Sequence, residues 1–259
     1  MNYFKKIENL PEPDLSWNIP ETKQGTVNVI GGNSQHFKTE IRISEYMGEN
    51  FPIRNLFTVL PDVLKNKLPD LPNFMFLEST ESGSFASDEQ LVKTFDAADY
   101  NLLIGDLSKN SVTGKAVVKA CATTKKPLLI TRDSVDLVAE NITSQLLMND
   151  NLIFFASMAQ LIKLFRAVYY PKMLLLSQSL VQVSEALHKF TLSYPVAIIT
   201  LHNEQILLAK NGEVEVVELA KSGYSPITFW RGELACKILA LNLYNPNQFM
   251  KATITALLK

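Results

Sequence analysis

Residues 102–133 read LLIGDLSKNSVTGKAVVKACATTKKPLLITRD, and this stretch decides the fold. Two short apolar runs, Leu102–Ile104 and Leu128–Ile130, enclose a segment, Val112–Thr124, whose apolar residues recur at helical spacing. Continuous apolar runs, without alternation, are typical of strands that are buried on both faces of a parallel sheet. The stretch therefore predicts a strand, a helix and a second parallel strand, joined by a right-handed crossover.

The same two patterns alternate on either side of this stretch. Further continuous apolar runs lie at Val27–Ile30, Phe74–Leu77, Leu152–Phe155 and Val196–Leu201. Helical patterns lie at Ser87–Ala98, which opens with a capping-box sequence, at Val135–Met148, and at about Lys172–Thr191, with Pro171 in the place of an N1 proline. The alternation predicts an α/β fold of three layers (αβα), with a mostly parallel central sheet and helices on both faces.

The C-terminal part of the chain follows a different pattern. Two β runs, Ile206–Lys210 and Val214–Leu219, flank Asn211-Gly212, a pair that is preferred in type I′ turns, so we predict a β-hairpin here. Two helices, at about Gly232–Leu243 and Pro246–Leu258, follow the hairpin. Because no linker or repeat divides the sequence, we predict a single domain over residues 25–259, preceded by an N-terminal extension, residues 1–24.

The composition argues against several classes of function. The chain has 259 residues, a net charge of −1 and 47% hydrophobic residues, which indicates a packed core and no field of one sign. We therefore expect no nucleic acid and no membrane among its partners. The N-terminal extension lacks the apolar segment of a signal peptide, so we expect a cytoplasmic protein. Cys121 and Cys236 fall in apolar helical patterns, which predicts reduced core residues.

Ligands of open parallel sheets bind at the carboxyl ends of strands, where helix N-termini direct backbone N–H groups outward. The first such end holds Gly31-Gly32-Asn33-Ser34, in which the glycines let a ligand approach the backbone and the polar side chains offer hydrogen bonds. The second holds Gly105-Asp106, followed by Ser108 and Lys109. Each has a structural alternative, a tight strand-to-helix turn for the first and a capped turn for the second.

Two further junctions between a strand or loop and a helix carry carboxylates. Asp133 follows the Leu128–Ile130 run and is suited to hold a metal or a substrate hydroxyl, or alternatively to cap a helix. Glu233 falls in the first turn of the helix that begins at Gly232. An acid there is suited to proton transfer, or alternatively only complements the helix dipole.

Other familiar catalytic patterns do not occur in the sequence. His36, His188 and His202 show no metal-ligand spacing, and we assign no metal ligand. The segment around Gly114-Lys115 is not a phosphate-binding Walker A motif, because the glycine spacing is wrong and the lysine is followed by alanine.

The order of these strand ends resembles the ribokinase-like superfamily and, within it, the ADP/ATP-dependent NAD(P)H-hydrate dehydratase domain. The resemblance extends from about Gly25 to Leu258. Val29–Ser34 is similar to the opening strand and loop of that family, V-x-G-G-S. Leu103-Ile104-Gly105 is similar to the strand before its glycine-rich loop, I-G-P-G-L-G, although the later glycines of that loop are replaced here.

Several polar positions of the family pattern are altered. After the Leu128–Ile130 run, Thr131 replaces the first of two family acids and Asp133 keeps the second. Further along the chain, Ser157 and Gln160 replace a histidine and a glutamate, so that segment has lost both ionisable groups.

The family element that carries the catalytic base, G-x-G-D-x-L-A-G, is similar to Trp230–Cys236. By this resemblance, Gly232 belongs to the site that binds the nucleotide or phosphate, and Glu233 is the catalytic acid or base. The guanidinium of Arg231 is suited to bind a phosphate in place of the backbone site that is lost with the first glycine. Trp230 replaces the first glycine, which restricts the backbone and crowds an anion site that depends on close approach to N–H groups. Glutamate in place of aspartate keeps the charge but moves the carboxylate by about one methylene.

The resemblance implies a nucleotide-dependent enzyme that acts on a small molecule, either a dehydratase that repairs hydrated NAD(P)H, which is a carbon–oxygen lyase, or a related small-molecule kinase. It implies ATP or ADP and Mg²⁺ as cofactors, and we expect a homo-oligomer. The substrate-binding residues would be Gly32, Asn33, Ser34, Gly105, Asp106 and Asp133. Because so many polar positions are altered, the alternative is a catalytically inactive relative that serves as a nucleotide-binding or protein-interaction module.

Overall fold

The computed structural model describes residues 3–8 and 20–258. Ten strands form one sheet: β1 (Lys5–Lys6), β2 (Gln24–Ile30), β3 (Ile53–Pro61), β4 (Phe74–Leu77), β5 (Tyr100–Ile104), β6 (Leu128–Thr131), β7 (Leu152–Phe155), β8 (Ala197–His202), β9 (Gln205–Lys210) and β10 (Glu213–Glu218). The helices of the described residues are α1 (Lys38–Asn50), α2 (Asp88–Ala97), α3 (Ser111–Thr123), α4 (Asp133–Asn141), α5 (Met158–Ala167), α6 (Leu180–Ser193), α7 (Leu219–Ser222), α8 (Pro226–Phe229), α9 (Glu233–Tyr244) and α10 (Phe249–Leu258).

The strands lie in the order β1-β10-β9-β8-β7-β6-β5-β2-β3-β4. Every neighbouring pair is parallel except β8–β9 and β9–β10, so β9 runs against the other strands. From β2 the chain crosses outward through α1 to β3 and β4. It then returns to β5, on the other side of β2, and continues to β8. The sheet therefore changes direction between β2 and β5, where doubly wound sheets open a crevice for ligands.

Two hydrophobic clusters lie on opposite faces of the sheet. Leu91 of α2 and Phe190 of α6 belong to one cluster, and Ile43 of α1 and Leu239 of α9 belong to the other. Adjacent residues of β5 alternate between the two clusters, as a strand covered on both sides requires. The predicted three-layer αβα fold, with a mostly parallel sheet, is confirmed.

The predicted hairpin is also confirmed. β9 and β10 pair so that Lys210 faces Glu213, which leaves a two-residue loop. Asn211 and Gly212 in that loop have φ values of 52° and 80°. Both values are positive, as a type I′ turn requires.

Several helix boundaries differ from the prediction. α6 begins at Leu180 rather than at about Lys172, because Ser179 caps it by accepting a hydrogen bond from the Gln182 N–H, and Pro171 lies outside the helix. α4 ends at Asn141, before a short 3-10 turn at Leu146–Met148, rather than continuing to Met148.

The N-terminal extension contributes to the sheet, since Lys5–Lys6 pair in parallel with β10. Residues 9–19 of the extension lie outside the described part of the chain. Cys121 and Cys236 are buried and free, as predicted. None of the helices in residues 3–8 and 20–258 combines the length and apolar character that a membrane crossing needs.

Candidate functional site

A side-chain hydrogen bond joins the two loops at the crevice between β2 and β5. Asn33, after β2, donates from Nδ2 to the carbonyl oxygen of Asp106, after β5, over 2.9 Å. Its Oδ1 accepts hydrogen bonds from the backbone N–H groups of Gln35 and His36 at 2.9 and 3.0 Å. Asn33 is buried and thus fastens the two loops of the crevice to each other.

Gly32 and Ser34 complete the turn after β2. Gly32 has φ +81°, and a Cβ atom there would lie 3.1 Å from the carbonyl oxygen of His36. The backbone N–H of Ser34 donates to the Gly83 carbonyl at 2.9 Å, and its hydroxyl donates to the Ser82 carbonyl at 3.4 Å. Both predicted residues therefore lie at the crevice, and their observed contacts stabilise the turn.

An acid that the sequence patterns do not identify lies beneath these loops. Glu40, in the first turn of α1, is 1% exposed, and neither of its carboxyl oxygens has a hydrogen-bond partner. Burial raises the pKa of the Glu40 carboxyl to about 8; its own backbone N–H and Arg132 oppose the rise, while Asp106 and Asp133 add to it. At neutral pH the group is therefore mostly protonated and offers both a donor and an acceptor.

Two glycines leave the space that this carboxyl group occupies. A Cβ atom at Gly105, which has φ +90°, would lie 1.8 Å from Glu40 Oε1. A Cβ atom at Gly31 would lie 2.8 Å from the same oxygen and 1.9 Å from the carbonyl oxygen of Ile104. Gly105 is thus required by a side chain of α1, and Gly31 is required both by that side chain and by the backbone of Ile104.

Glu40 lines a cavity of about 310 Å³ at the crevice, which we call the switch-point cavity. Ionisable side chains from several elements share its wall, namely His36, Lys38, Asp106, Arg132 and Asp133. His36 Nδ1 lies 3.1 Å from Asp106 Oδ2. Arg132 has φ +59°, a value that non-glycine residues rarely adopt and that costs about 1–3 kcal/mol. Such strain clusters at functional sites, which supports a functional role for this cavity.

A second cavity, of about 430 Å³, shares Asp106 and Asp133 with the first and is also lined by Lys109. Asp136 and Lys163 form an ion pair at its wall, and their hydrogen bond raises the pKa of Lys163. The two predicted acids therefore stand where the cavities meet.

Ser157 and Gln160, the two positions compared above with a histidine and a glutamate, form a helix cap. Ser157 Oγ accepts a hydrogen bond from the Gln160 N–H at 3.3 Å, and Gln160 Oε1 accepts one from the Ser157 N–H at 3.0 Å. Gln160 Nε2 also donates to the carbonyl oxygen of Arg132 at 2.8 Å and to Asp136 Oδ2 at 2.7 Å. Gln160 thereby holds the strained turn at Arg132.

The N-terminus of α9 lies against α1 and the end of β5. Gly232 has φ +101°, and a Cβ atom there would lie 2.8 Å from Ile43 Cδ1 and 2.9 Å from Ile104 Cδ1. No side chain caps the first turn of α9. Because Glu40 is one turn before Ile43 on α1 and Gly105 follows Ile104, this helix end and the switch-point cavity are neighbours.

Glu233 itself is engaged by an arginine of α1. Arg42 donates from Nη1 to Glu233 Oε1 at 3.1 Å and from Nη2 to the carbonyl oxygen of Arg231 at 2.8 Å. Burial raises the pKa of Tyr224 to about 12, and it also raises the pKa of Tyr46. The negative charge of Glu233 adds to the rise at both tyrosines. Glu233 therefore faces these groups, and it lines neither of the two cavities.

Trp230 takes an ordinary backbone conformation, with φ −95°. Its ring centroid lies 5.2 Å from that of Phe155, the last residue of β7, and 4.7 Å from that of Phe229. The indole thus packs at the carboxyl end of β7, beside the N-terminus of α9.

The structure gathers the predicted site residues into two neighbouring groups. At the switch point lie Gly32, Asn33, Ser34, Gly105, Asp106 and Asp133; at the start of α9 lie Arg231, Gly232 and Glu233. The sequence patterns miss Glu40 and Arg42. Glu40 could have been found from the spacing of Glu40, Ile43 and Met47, because this spacing places all three residues on one buried stripe of a helix.

No protein-family model matches this chain, and no curated protein matches it. Solved structures do. A hypothetical protein from Streptococcus mutans is 13% identical over 96% of this chain and 88% of its own, with a TM-score of 0.65. A ribokinase-like superfamily protein from Enterococcus faecalis is 14% identical over 100% of this chain and 87% of its own, with a TM-score of 0.64.

A third similar structure is an ADP/ATP-dependent NAD(P)H-hydrate dehydratase from Bacillus subtilis. It is 13% identical over 92% of this chain and 81% of its own, with a TM-score of 0.56. Identities at this level establish the fold, and the fold hosts more than one activity. The chain has the ribokinase-like fold.

Proposed function

We propose that this ribokinase-like chain is a nucleotide-dependent enzyme acting on a small molecule, most similar in activity to an ADP/ATP-dependent NAD(P)H-hydrate dehydratase. The observation that carries the proposal is the start of α9. Gly232 has the positive φ of a glycine that brings backbone N–H groups close to an anion, and no side chain caps the first turn. Phosphate groups bind readily at such helix N-termini.

The side chains at this end of the sheet fit the phosphates of ATP or ADP. Arg231 is exposed, immediately before Gly232, and a guanidinium is suited to a bidentate contact with phosphate. In the proposal these two residues bind the phosphates. The crevice between β2 and β5, with Asp106 and Asp133, takes the substrate, for which hydrated NAD(P)H is our candidate.

In the proposal, Mg²⁺ would bind together with ATP or ADP. No three His, Cys, Asp or Glu side chains within residues 3–8 and 20–258 are grouped to hold a metal ion. An ion that bridges phosphates requires only one or two protein carboxylates. Asp106 and Asp133, both at strand ends beside the cavities, are the candidates for that contact.

Glu233 is the proposed acid or base of the reaction, at the position of the family aspartate. Its contact with Arg42 stabilises the charged carboxylate, so a proton transfer through Glu233 requires this pair to separate.

A second candidate function rests on the same contact. Because Arg42 holds Glu233 and Trp230 packs beside the start of α9, a catalytically inactive relative that binds a nucleotide without turnover also fits. In that case the helix end binds phosphate, and no proton moves.

The test is to incubate the purified protein with hydrated NADH and either ADP or ATP, and to follow the return of NADH absorbance. We expect recovery, and a loss of at least about 100-fold in rate for Glu233→Gln, because the reacting proton then has no acceptor. Glu45→Gln, an exposed glutamate of α1, is the matched control and keeps the rate.

The two candidate functions give different results in a thermal-shift measurement. A ligand at 100 times its dissociation constant stabilises the folded chain by about 2.7 kcal/mol. Stabilisation by ADP without any recovery of NADH identifies the inactive relative. If the protein shows neither recovery of NADH nor stabilisation by ADP, both candidate functions are contradicted.

The homo-oligomer stays a prediction. Light scattering after gel filtration measures the oligomeric state directly.

A further inference from the structure

We propose that Glu40 contacts the ligand of the switch-point cavity, and that this cavity selects an uncharged polar group with a hydrogen-bond donor beside an acceptor. Primary amides and small polyols have this chemistry. The proposal goes beyond the proposed function, because it requires neither a nucleotide nor turnover. It assigns a ligand contact to α1, whereas the proposed function places its acid on α9.

The carboxyl group of Glu40 lacks hydrogen-bond partners. Buried polar atoms in folded proteins nearly always have a hydrogen-bond partner, and a group that lacks one lowers stability. Both oxygens of Glu40 are unpartnered, although the residue is 1% exposed and lines the cavity. A ligand in the cavity that Glu40 lines would supply the missing partner.

The backbone around the switch point is shaped to hold this group. Gly105, which follows β5, leaves the room that Glu40 Oε1 occupies, and Gly31, which follows β2, is required by the carbonyl oxygen of Ile104 as well as by Glu40 Oε1. β2 and β5 are the two strands that flank the switch point. Asn33 then fixes the loops above the carboxyl by its bond to the Asp106 carbonyl. The carboxyl is therefore held in place by the parts of the fold where ligands bind.

Ionisable groups from several elements share the cavity wall with Glu40. Arg132 comes from the turn after β6, Asp106 from the loop after β5, His36 from the loop after β2, Asp133 from α4, and Lys38 from α1. None of them forms a hydrogen bond with the carboxyl. Since two acids stand beside two basic residues, the wall charges do not decide the ionisation of Glu40, and burial is the main cause that favours its neutral form. A neutral carboxyl presents an O–H donor next to a carbonyl acceptor. It is complemented by an uncharged ligand group that accepts a hydrogen bond from the O–H and donates one to the carbonyl oxygen.

Three variants test the assignment. Glu40→Gln keeps a donor beside an acceptor but does not titrate. Glu40→Leu removes both functions and is one atom shorter, so it does not reach Gly105. Glu45→Gln, exposed on the same helix, is the control. The probes are a panel of primary amides and small polyols, with amines and carboxylates of equal size for comparison, and binding is measured by ligand-observed NMR.

We expect uncharged probes to bind the wild type and Glu40→Gln, and to bind Glu40→Leu at least about tenfold more weakly. Between pH 7 and pH 9 the wild type should lose about tenfold in affinity, as Glu40 loses its proton, while Glu40→Gln should not change. Glu40→Leu should also melt about 2–4 °C higher than the wild type at pH 8, because an unpartnered buried carboxyl is gone.

Equal binding by wild type and Glu40→Leu, a preference for charged probes, or no binding of uncharged probes to the wild type would each overturn the assignment. If Glu40→Leu fails to fold, the comparison between the wild type and Glu40→Gln decides: the affinity of the wild type should fall between pH 7 and pH 9, and that of Glu40→Gln should not change. These results are distinct from a failure of the proposed function. That failure appears as an absence of nucleotide binding and turnover in the wild type, and it leaves the binding of amide or polyol probes intact.

Discussion

Two carboxylates lie in the first turns of two helices that pack against each other, and their surroundings differ in every respect that matters for proton transfer. Glu233 begins α9, is about one-third exposed, and is paired with Arg42. Glu40, in α1, is buried, has no partner and lines a cavity. The sequence indicates Glu233 only through its resemblance to a motif, and it gives no such signal for Glu40.

The difference shows that the place of an acid in a motif does not decide whether it is available for chemistry. Availability depends on the neighbouring helix. Arg42 lies two residues after Glu40 on α1 and pairs with Glu233. The same helix therefore supplies a partner to Glu233 and leaves its own Glu40 without one.

The largest effect is expected at Gly105, which makes room for Glu40. Gly105→Ala places a Cβ atom 1.8 Å from Glu40 Oε1 at a residue with φ +90°. We expect a loss of about 3 kcal/mol or more in the free energy of unfolding, measured in urea. Adding Glu40→Ala to this variant should restore at least about 1 kcal/mol, because the clash is removed while the backbone strain remains.

Gly223→Ala is the control that measures the cost of backbone strain without a steric clash. Gly223 has φ +72°, and a Cβ atom there would have nothing within 4 Å. It should therefore cost about 1 kcal/mol. Equal losses at both glycines would show that Glu40 does not occupy the space beside Gly105.

The next effect is the pH dependence that Glu40 confers on stability. Burial raises the pKa of Glu40 to about 8 in the folded chain, and the unfolded chain has the ordinary, lower value. As pH rises above about 4.5 the unfolded state loses this proton first, so stability falls until about pH 8 and then levels off. Relative to Glu40→Gln, we expect the wild type to lose roughly 1 kcal/mol per pH unit over that window.

The measurement is a series of urea titrations of wild type, Glu40→Gln and Glu45→Gln between pH 5 and pH 9. The control variant should follow the wild type throughout, because Glu45 is exposed. Parallel curves for wild type and Glu40→Gln would mean that Glu40 finds a partner or remains ionised in the folded protein.

The central layers of the fold are predictable from the sequence because their strands are continuous apolar runs, as in residues 102–133. Helix α1 is not, because two of its four buried residues, Glu40 and Ser44, are polar and interrupt the apolar stripe. Strand β3, Ile53–Pro61, is missed for a related reason, since Arg54 and Asn55 are exposed and its continuous buried run begins only at Thr58.

The candidate site is predictable in its location and not in its chemistry. Strand ends and glycines indicate the crevice, as the bond from Asn33 to the Asp106 carbonyl shows. The contacts of Glu40 and Arg42 depend on how α1 packs against β5 and α9, and local sequence patterns do not specify such packing between distant segments. A glutamate also reads as a surface residue unless the helix around it is recognised.

The smallest expected effect is at the partner of Glu233. Arg42→Met keeps the length of the side chain but removes both hydrogen bonds, to Glu233 Oε1 and to the Arg231 carbonyl. The Arg42 and Glu233 side chains are 48% and 31% exposed, so the pair should contribute only about 0.5 kcal/mol. A double-mutant cycle with Glu233→Gln measures this coupling. A value near 0.5 kcal/mol would mean that Glu233 is held loosely enough to separate from Arg42 during turnover. A value above about 2 kcal/mol would mean that the pair is a fixed part of α1–α9 packing, and Glu40 would then be the better candidate for the acid of this protein.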